Sequence, residues 1–341
     1  MNYNMKYILK TFNMKPTYKW LTALTCLFLL GGCNDEWNDE QYEKYISFVH
    51  SGDNRVYLKY EAQGGNKTYH LPVQISGSQS NSSDVRVTIA VDPDTLVKYN
   101  FDNFRSREDL YFKELDAKHY ALKSWSATIP AGSTKTSIDI DFSFLGLDNF
   151  DKHMLPLSID ASSELMPNPN KHYKKSLMQI ILFNDYSGKY EVTAEMTEVN
   201  NDGHEVGDKI KVESRNSWVE DENTVFFYAG FTEEQAIDRK DYRVYAKFEK
   251  RDDLSGIVEL YTDNPDMELT WVPAECFFII QEEMDELQPY LKRRYITMNV
   301  NYTYLDISNK NFPIRYKYAG TMILERVLNI LMPEEDQYIF D

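Results

Sequence analysis

Apolar and polar positions alternate in pairs through most of the chain. Tyr69, Leu71, Val73 and Ile75 alternate with polar neighbours, as do Val85, Val87, Ile89 and Val91, then Ile138, Ile140, Phe142 and Phe144. Successive side chains of a strand point to opposite faces, so this period predicts strands with one face buried. Gly64-Gly65-Asn66, Ser76-Gly77-Ser78 and Pro130-Ala131-Gly132-Ser133 supply turns between them. Short alternating strands without a long amphipathic helix predict an immunoglobulin-like β-sandwich over residues 45–185. A short helix is expected within Ser106 to His119. Leu71 to Ile75 and Leu155 to Ile159 share the pattern Leu-Pro-apolar-polar-Ile. Proline is tolerated where a strand begins or lies at an edge, so both read as strands starting from extended chain.

The pattern breaks at Asn184-Asp185-Tyr186-Ser187-Gly188, which predicts a domain boundary. Beyond it, Tyr190 to Met196 and Val206 to Val212 alternate on either side of Asn200-Asn201-Asp202-Gly203, the signature of a hairpin. The turn fails as a calcium loop. With Gly203 at the sixth position the twelfth is Lys209, which has no carboxylate to give. Further runs at Thr224 to Ala229, Tyr242 to Phe248, Ile257 to Tyr261 and Ile296 to Tyr304 predict a second antiparallel β-domain over residues 186–341, a barrel or a curled, lipocalin-like sandwich. Thr232-Glu233-Glu234-Gln235 has the spacing of a helix capping box, and Gln281 to Leu287 reads as another acidic turn.

The N-terminal end follows a different rule. Trp20 to Gly32 is an apolar run of about 13 residues, short of the roughly 20 that span a bilayer as a helix. Lys6, Lys10, Lys15 and Lys19 precede it without one acid, as in a secretory signal, with Met14 as an alternative start. Leu30-Gly31-Gly32-Cys33 resembles the bacterial lipobox. Residues 1–32 are therefore read as a lipoprotein signal peptide and Cys33 as the lipidation site, the alternative being an ordinary signal peptide with a chance cysteine. Residues 33–44 form an acidic tether with too little apolar surface to fold alone. The tether resembles the acidic export signal of Bacteroidetes lipoproteins that face outward from the outer membrane, with Trp37 placed to touch lipid headgroups.

Charge and cysteine content narrow the picture. Four of the 37 basic residues and none of the 54 acidic ones fall in residues 1–32, which leaves 33 against 54, a net charge of about −21. Nucleic acid is disfavoured as a partner. Cys26 lies in the signal and Cys33 carries lipid, so Cys276 remains alone, without a disulfide, and is read as a small buried hydrophobe.

Catalytic patterns are missing. There is no Gly-x-Ser-x-Gly, no His-Glu-x-x-His, and the six histidines have no metal-ligand spacing. Asp139 and Asp141 share the polar face of one strand, which is ordinarily solvent. No catalytic residue, metal or cofactor is expected. The 25 tyrosines, 18 phenylalanines and five tryptophans suit the stacking of sugar rings, and they suit β-strands equally. Trp125 shares parity with Ile129 and is expected in the core. Trp218 and Trp271, near polar loops, are the candidate carbohydrate-binding residues.

Four strings, YALKSWSATIPAG (Tyr120 to Gly132), FNDYSGKY (Phe183 to Tyr190), ENTVFFYAG (Glu222 to Gly230) and YAGTMILER (Tyr318 to Arg326), occur in an order that resembles a two-domain family of Bacteroidetes surface lipoproteins. The domains of that family are of formally unknown function and are encoded beside starch-utilisation-system-like glycan importers. The resemblance implies an outer-membrane lipoprotein whose partners are an oligosaccharide or polysaccharide, a TonB-dependent importer and that importer's glycan-binding lipoprotein. It implies no catalytic residue. The strongly negative charge favours a neutral glycan. The expected function is non-catalytic glycan binding in polysaccharide uptake. A structural or adhesive surface subunit and a glycan-processing enzyme remain as alternatives.

Overall fold

The structure, a computed structural model, describes residues 40–60 and 66–332. Cys33, Trp37 and most of the tether lie outside the described residues. The first domain contains β1 (Ile46–Phe48), β2 (Gly52–Lys59), β3 (Asn66–Ile75), β4 (Val85–Val91), helix α1 (Pro93–Phe104), β5 (Lys113–Glu114), β6 (Tyr120–Leu122), β7 (Ser126–Ile129), β8 (Lys135–Ser143), β9 (His153–Ile159) and β10 (Lys175–Phe183). A four-stranded sheet, β1-β3-β8-β6, packs on a sheet ordered β2-β10-β9-β4-β7 with β5 added beside β9. Residues that alternate in the sequence meet between the sheets: Leu71, Val73, Val87, Ile89, Ile140 and Phe142 belong to one buried cluster.

The repeated Leu-Pro pattern has a shared structural cause. Pro72 lies one residue past the end of the β1 pairing at Phe48↔Val73, and Pro156 one past the end of the β4 pairing at Val91↔Leu157. In each case the departing neighbour returns one bond to the proline carbonyl, Val49 N–H at 3.1 Å and Asp92 N–H at 3.0 Å. Each proline thus sits where its strand loses one partner. Both strands continue through their prolines, with ladder pairs on either side, rather than beginning there.

The second domain contains β11 (Gly188–Val199), β12 (Glu205–Val219), β13 (Thr224–Tyr228), β14 (Arg243–Lys250), β15 (Ser255–Tyr261), β16 (Thr270–Trp271), β17 (Phe277–Met284), β18 (Leu291–Asp306) and β19 (Ile314–Asn329). These form one nine-stranded antiparallel sheet in which β16 joins only β18. The others curl until β18 and β19, paired over 16 residues each, close the ring. Its interior is rich in tyrosine: Tyr186, Tyr190, Tyr242, Tyr302, Tyr304 and Tyr318 are buried there. Cys276 is buried and free, accepts Asn301 N–H at 3.3 Å, and has its thiol pKa pushed up by burial.

The joint between the domains is buried, not an exposed linker. Asn184 donates from Nδ2 to Asp221 O at 2.7 Å, and its Oδ1 accepts the Tyr186 and Ser187 amides at 2.9 and 2.8 Å. Tyr186 stacks on Phe248 with centroids 3.9 Å apart.

Four local expectations change. The principal helix is α1, upstream of Ser106, capped by the Asp92 side chain on Thr95 N–H with Pro93 at its first turn. Only Leu96 and Asn100 of α1 are buried, too narrow a stripe to announce a helix; Ser106 to His119 holds two single 3₁₀ turns instead. Trp125 is 42% exposed because it precedes β7, outside the strand that would give its parity meaning. Thr232 to Gln235 forms no helix; Glu234 Oε1 takes Asn216 Nδ2 at 2.5 Å rather than closing a capping box. Gln281 to Met284 is strand, where Glu282 lies opposite Arg294 and accepts its Nε at 2.6 Å.

Candidate functional site

At one end of the barrel the strands stop and leave a cleft of about 360 Å³, within the range of small-ligand sites. Its walls come from segments far apart in sequence: Met196 on β11, residues 231–242 between β13 and β14, the end of β18 with Asp306, and Tyr316 on β19. Curling of the sheet brings them together. The cross-strand pair Tyr304↔Tyr316 is the outermost inward-facing aromatic row, with ring centroids 5.9 Å apart, and Asp306 stands one row beyond it.

Gly230 sets the depth of this mouth. Its φ of +55° suits glycine, and a Cβ there would stand 1.7 Å from the Tyr304 hydroxyl. The chain therefore passes directly over Tyr304 and then turns Phe231 outward, 44% exposed. Tyr242 closes the other side: its hydroxyl donates to Asp306 Oδ1 at 2.9 Å and accepts Ile307 N–H at 3.0 Å. Burial first, then that carboxylate, push the Tyr242 pKa upward, so it stays a neutral donor. The result is a cleft with aromatic faces from Phe231 and Tyr316 and acceptor carboxylates from Glu233, Asp238 and Asp306.

Beneath the mouth, Tyr302 and Tyr318 stack with centroids 5.0 Å apart. Their hydroxyls, and Nε and Nη2 of Arg215, are buried without a hydrogen-bond partner among the described residues. Burial raises the pKa of all three tyrosines 302, 304 and 318, the last to about 12, while the Arg215 charge opposes it. The barrel interior below the cleft is thus polar but uncharged on its tyrosine side.

This donor and acceptor set is suited to a polyol. Ring faces take apolar C–H surfaces, carboxylates accept hydroxyl protons, and neutral phenols donate. Among the described residues no group of three His, Cys, Asp or Glu side chains could hold a metal ion.

The two tryptophans singled out by sequence lie elsewhere. Trp218 points from the outer face of β12, half-buried against Phe226 and Tyr228 at 5.5 and 5.1 Å, with Phe150 of the first domain in the same cluster. It borders an interdomain cavity of about 50 Å³, room for a few waters. Trp271, opposite Tyr302, packs half-buried on the barrel core. The structure does not bring them together. Phe231 and Tyr316 were not legible as site residues because each looks like ordinary strand or turn sequence. The one available signal is that two of the family-like strings end at Gly230 and begin at Tyr318, immediately beside them.

Two family models match the chain: a domain of unknown function (DUF4973) over residues 37–163, and one described as a C-terminal domain over residues 174–323. A solved structure of unknown function from Bacteroides ovatus is 32% identical with a TM-score of 0.76, covering 87% of this chain and 99% of that one. A multidomain protein including DUF1735 from the same organism is 31% identical, TM-score 0.75, with the same coverage. An auxiliary nutrient binding protein from Bacteroides thetaiotaomicron is 33% identical, TM-score 0.74, again covering 87% and 99%. No curated protein matches the chain.

Proposed function

The chain belongs to the two-domain Bacteroides family to which these structures belong, and from that premise we propose that it binds a neutral glycan, without catalysis, as an accessory of polysaccharide uptake. The observation that carries the reading is the cleft at the barrel mouth, where the exposed Phe231 ring, the half-buried Tyr316 ring and carboxylate acceptors converge. Glu233, Asp238 and Asp306 would repel a uronic or sulfated sugar and accept hydroxyl protons from a neutral one. A relative named as an auxiliary nutrient binding protein supports a binding role. Lipid on Cys33 would hold the protein at the outer face of the outer membrane, beside a TonB-dependent importer and its glycan-binding lipoprotein. Cys33→Ala should release it from membranes, and wild-type protein recovered in the soluble periplasm would remove that part of the proposal.

Titration against a panel of neutral and acidic polysaccharides tests the binding. Neutral oligosaccharide should bind without product release, and Phe231→Ala with Tyr316→Ala should weaken it at least about tenfold, or roughly 1.4 kcal/mol. Turnover would favour an enzyme. Failure across the panel would favour a structural or adhesive subunit.

A further inference from the structure

Residues 231–242 form one wall of the cleft, and their two sides have different neighbours. Toward the cleft lie Phe231, Glu233 and Asp238. On the other side the segment meets the first domain. Arg239, 8% exposed, donates from Nη1 to Asp109 Oδ2 at 3.1 Å and from Nη2 to Asp109 O at 2.7 Å. The same Nη1 donates to Ala236 O at 2.9 Å, so one guanidinium ties the wall both to itself and to the neighbouring domain. Arg107 adds a bond to Gln235 O at 2.5 Å and a two-pronged pair with Asp109, at 2.8 Å from each nitrogen. Phe150 lies beneath the cations of Arg239, Lys240 and Arg243, at 5.4, 5.4 and 5.0 Å from its ring centroid.

Support from the barrel itself is thinner over the middle of this wall. Between β13 and the 3₁₀ turn at Arg239–Tyr242 the segment has no ladder pairing, and Ile237 is exposed. Asn216 to Glu234 is the side-chain bond that reaches it from a barrel strand. Charge-assisted bonds to a nearly buried guanidinium are the stronger kind, so the first domain contributes much of what fixes this backbone. The Arg107 and Arg239 guanidinium groups hold the Asp109 carboxyl well below the usual carboxylate range, despite some desolvation, which agrees with a persistent pair.

We infer that the first domain sets the shape of the glycan cleft in the second: Asp109, Arg107 and Phe150 are positioning residues that brace the 231–242 wall without touching ligand. This rests on the reading of the mouth as the glycan site. By linkage, a sugar that needs the braced wall strengthens the interdomain contact by the same factor that the contact strengthens sugar binding. The sandwich is then part of the binding unit, and occupancy of the cleft is felt at the face carrying Asp109 and Phe150. A plain interdomain contact would leave the cleft indifferent to its loss.

Amide exchange and glycan titration on the intact two-domain protein separate these cases. In Asp109→Ala, exchange across 231–242 should rise at least about tenfold while β14 and β15 stay protected, and affinity for neutral oligosaccharide should fall three- to tenfold. Phe150→Leu, a milder change, should move both readouts in the same direction by less. In wild type, saturating oligosaccharide should slow exchange at residues 107–111 and 148–152. Unchanged exchange of 231–242 in both variants overturns the inference, and so does a loosened wall with unaltered affinity. If no glycan binds wild type, the function proposal fails, while the exchange comparison still decides whether the first domain braces the wall.

Discussion

Outside its tyrosine-rich interior, the barrel gathers aromatic rings on its outer face and at its mouth. Across the outer face Trp218, Phe226, Tyr245 and Tyr261 stand opposite one another on β12 to β15, with neighbouring centroids 5.5, 6.0 and 4.9 Å apart. Arg243 lies over Phe226, Tyr245 and Phe150 and pairs with Asp263, which also takes the Tyr245 hydroxyl. Trp218, Phe226 and Tyr245 are covered by one another and by Phe150 of the first domain, whereas Tyr261, at the end of the row, is 38% exposed. At the mouth, Phe231 is exposed and Tyr316 half-buried, beside exposed Glu233 and Asp238. The same residue class thus packs in one region and is presented in the other. What separates them is the cover, not the composition.

The largest effect that would sharpen this contrast belongs to the covered set. Phe226→Ala removes a ring that is 1% exposed and should cost about 3–5 kcal/mol, seen as a lower denaturation midpoint, while the folded fraction keeps its glycan affinity. Lost affinity at unchanged stability would place a ligand on the outer face. Gly230→Ala comes next: the new Cβ must displace Tyr304, at a cost of about 1–3 kcal/mol, and it should weaken both stability and binding. Tyr316→Ala alone should reduce affinity by about 1 kcal/mol with little change in melting, because its ring is only partly buried.

Smaller still is a pH effect at the interdomain contact. Asp109 has its folded pKa depressed, so its contribution is present above the ordinary carboxylate pKa of about 4 and is lost as pH falls toward the folded value. Acid should therefore loosen residues 231–242 in wild type but change little further in Asp109→Ala, as followed by amide exchange. Trp125→Ala, at an exposed bend, should change stability by less than about 0.5 kcal/mol.

The alternating runs were readable because the two sheets of the sandwich and the curled sheet bury one face each: Val85, Val87 and Ile89, or Ile296, Met298 and Val300, go inward as their spacing requires. The hairpin at Asn200 to Gly203 was readable because the turn chemistry is local. Helix α1 was harder, since its cap is clear in Asp92-Pro93 but its buried stripe is two residues wide. The cleft was not readable at all as a unit. Met196, Phe231, Asp306 and Tyr316 meet only because the sheet closes through β18 and β19, a fact of topology that no short window contains. Trp218 and Trp271 stood out for size and nearby polar loops, and size does not report what will cover a ring.

Mapping a bound neutral oligosaccharide by amide exchange on the intact protein tests the account most directly. Protection is predicted across residues 231–242 and around Tyr304 to Tyr316, with none on the outer faces of β12 to β15. Protection centred on Trp218 and Tyr261, with the mouth unchanged, would contradict it.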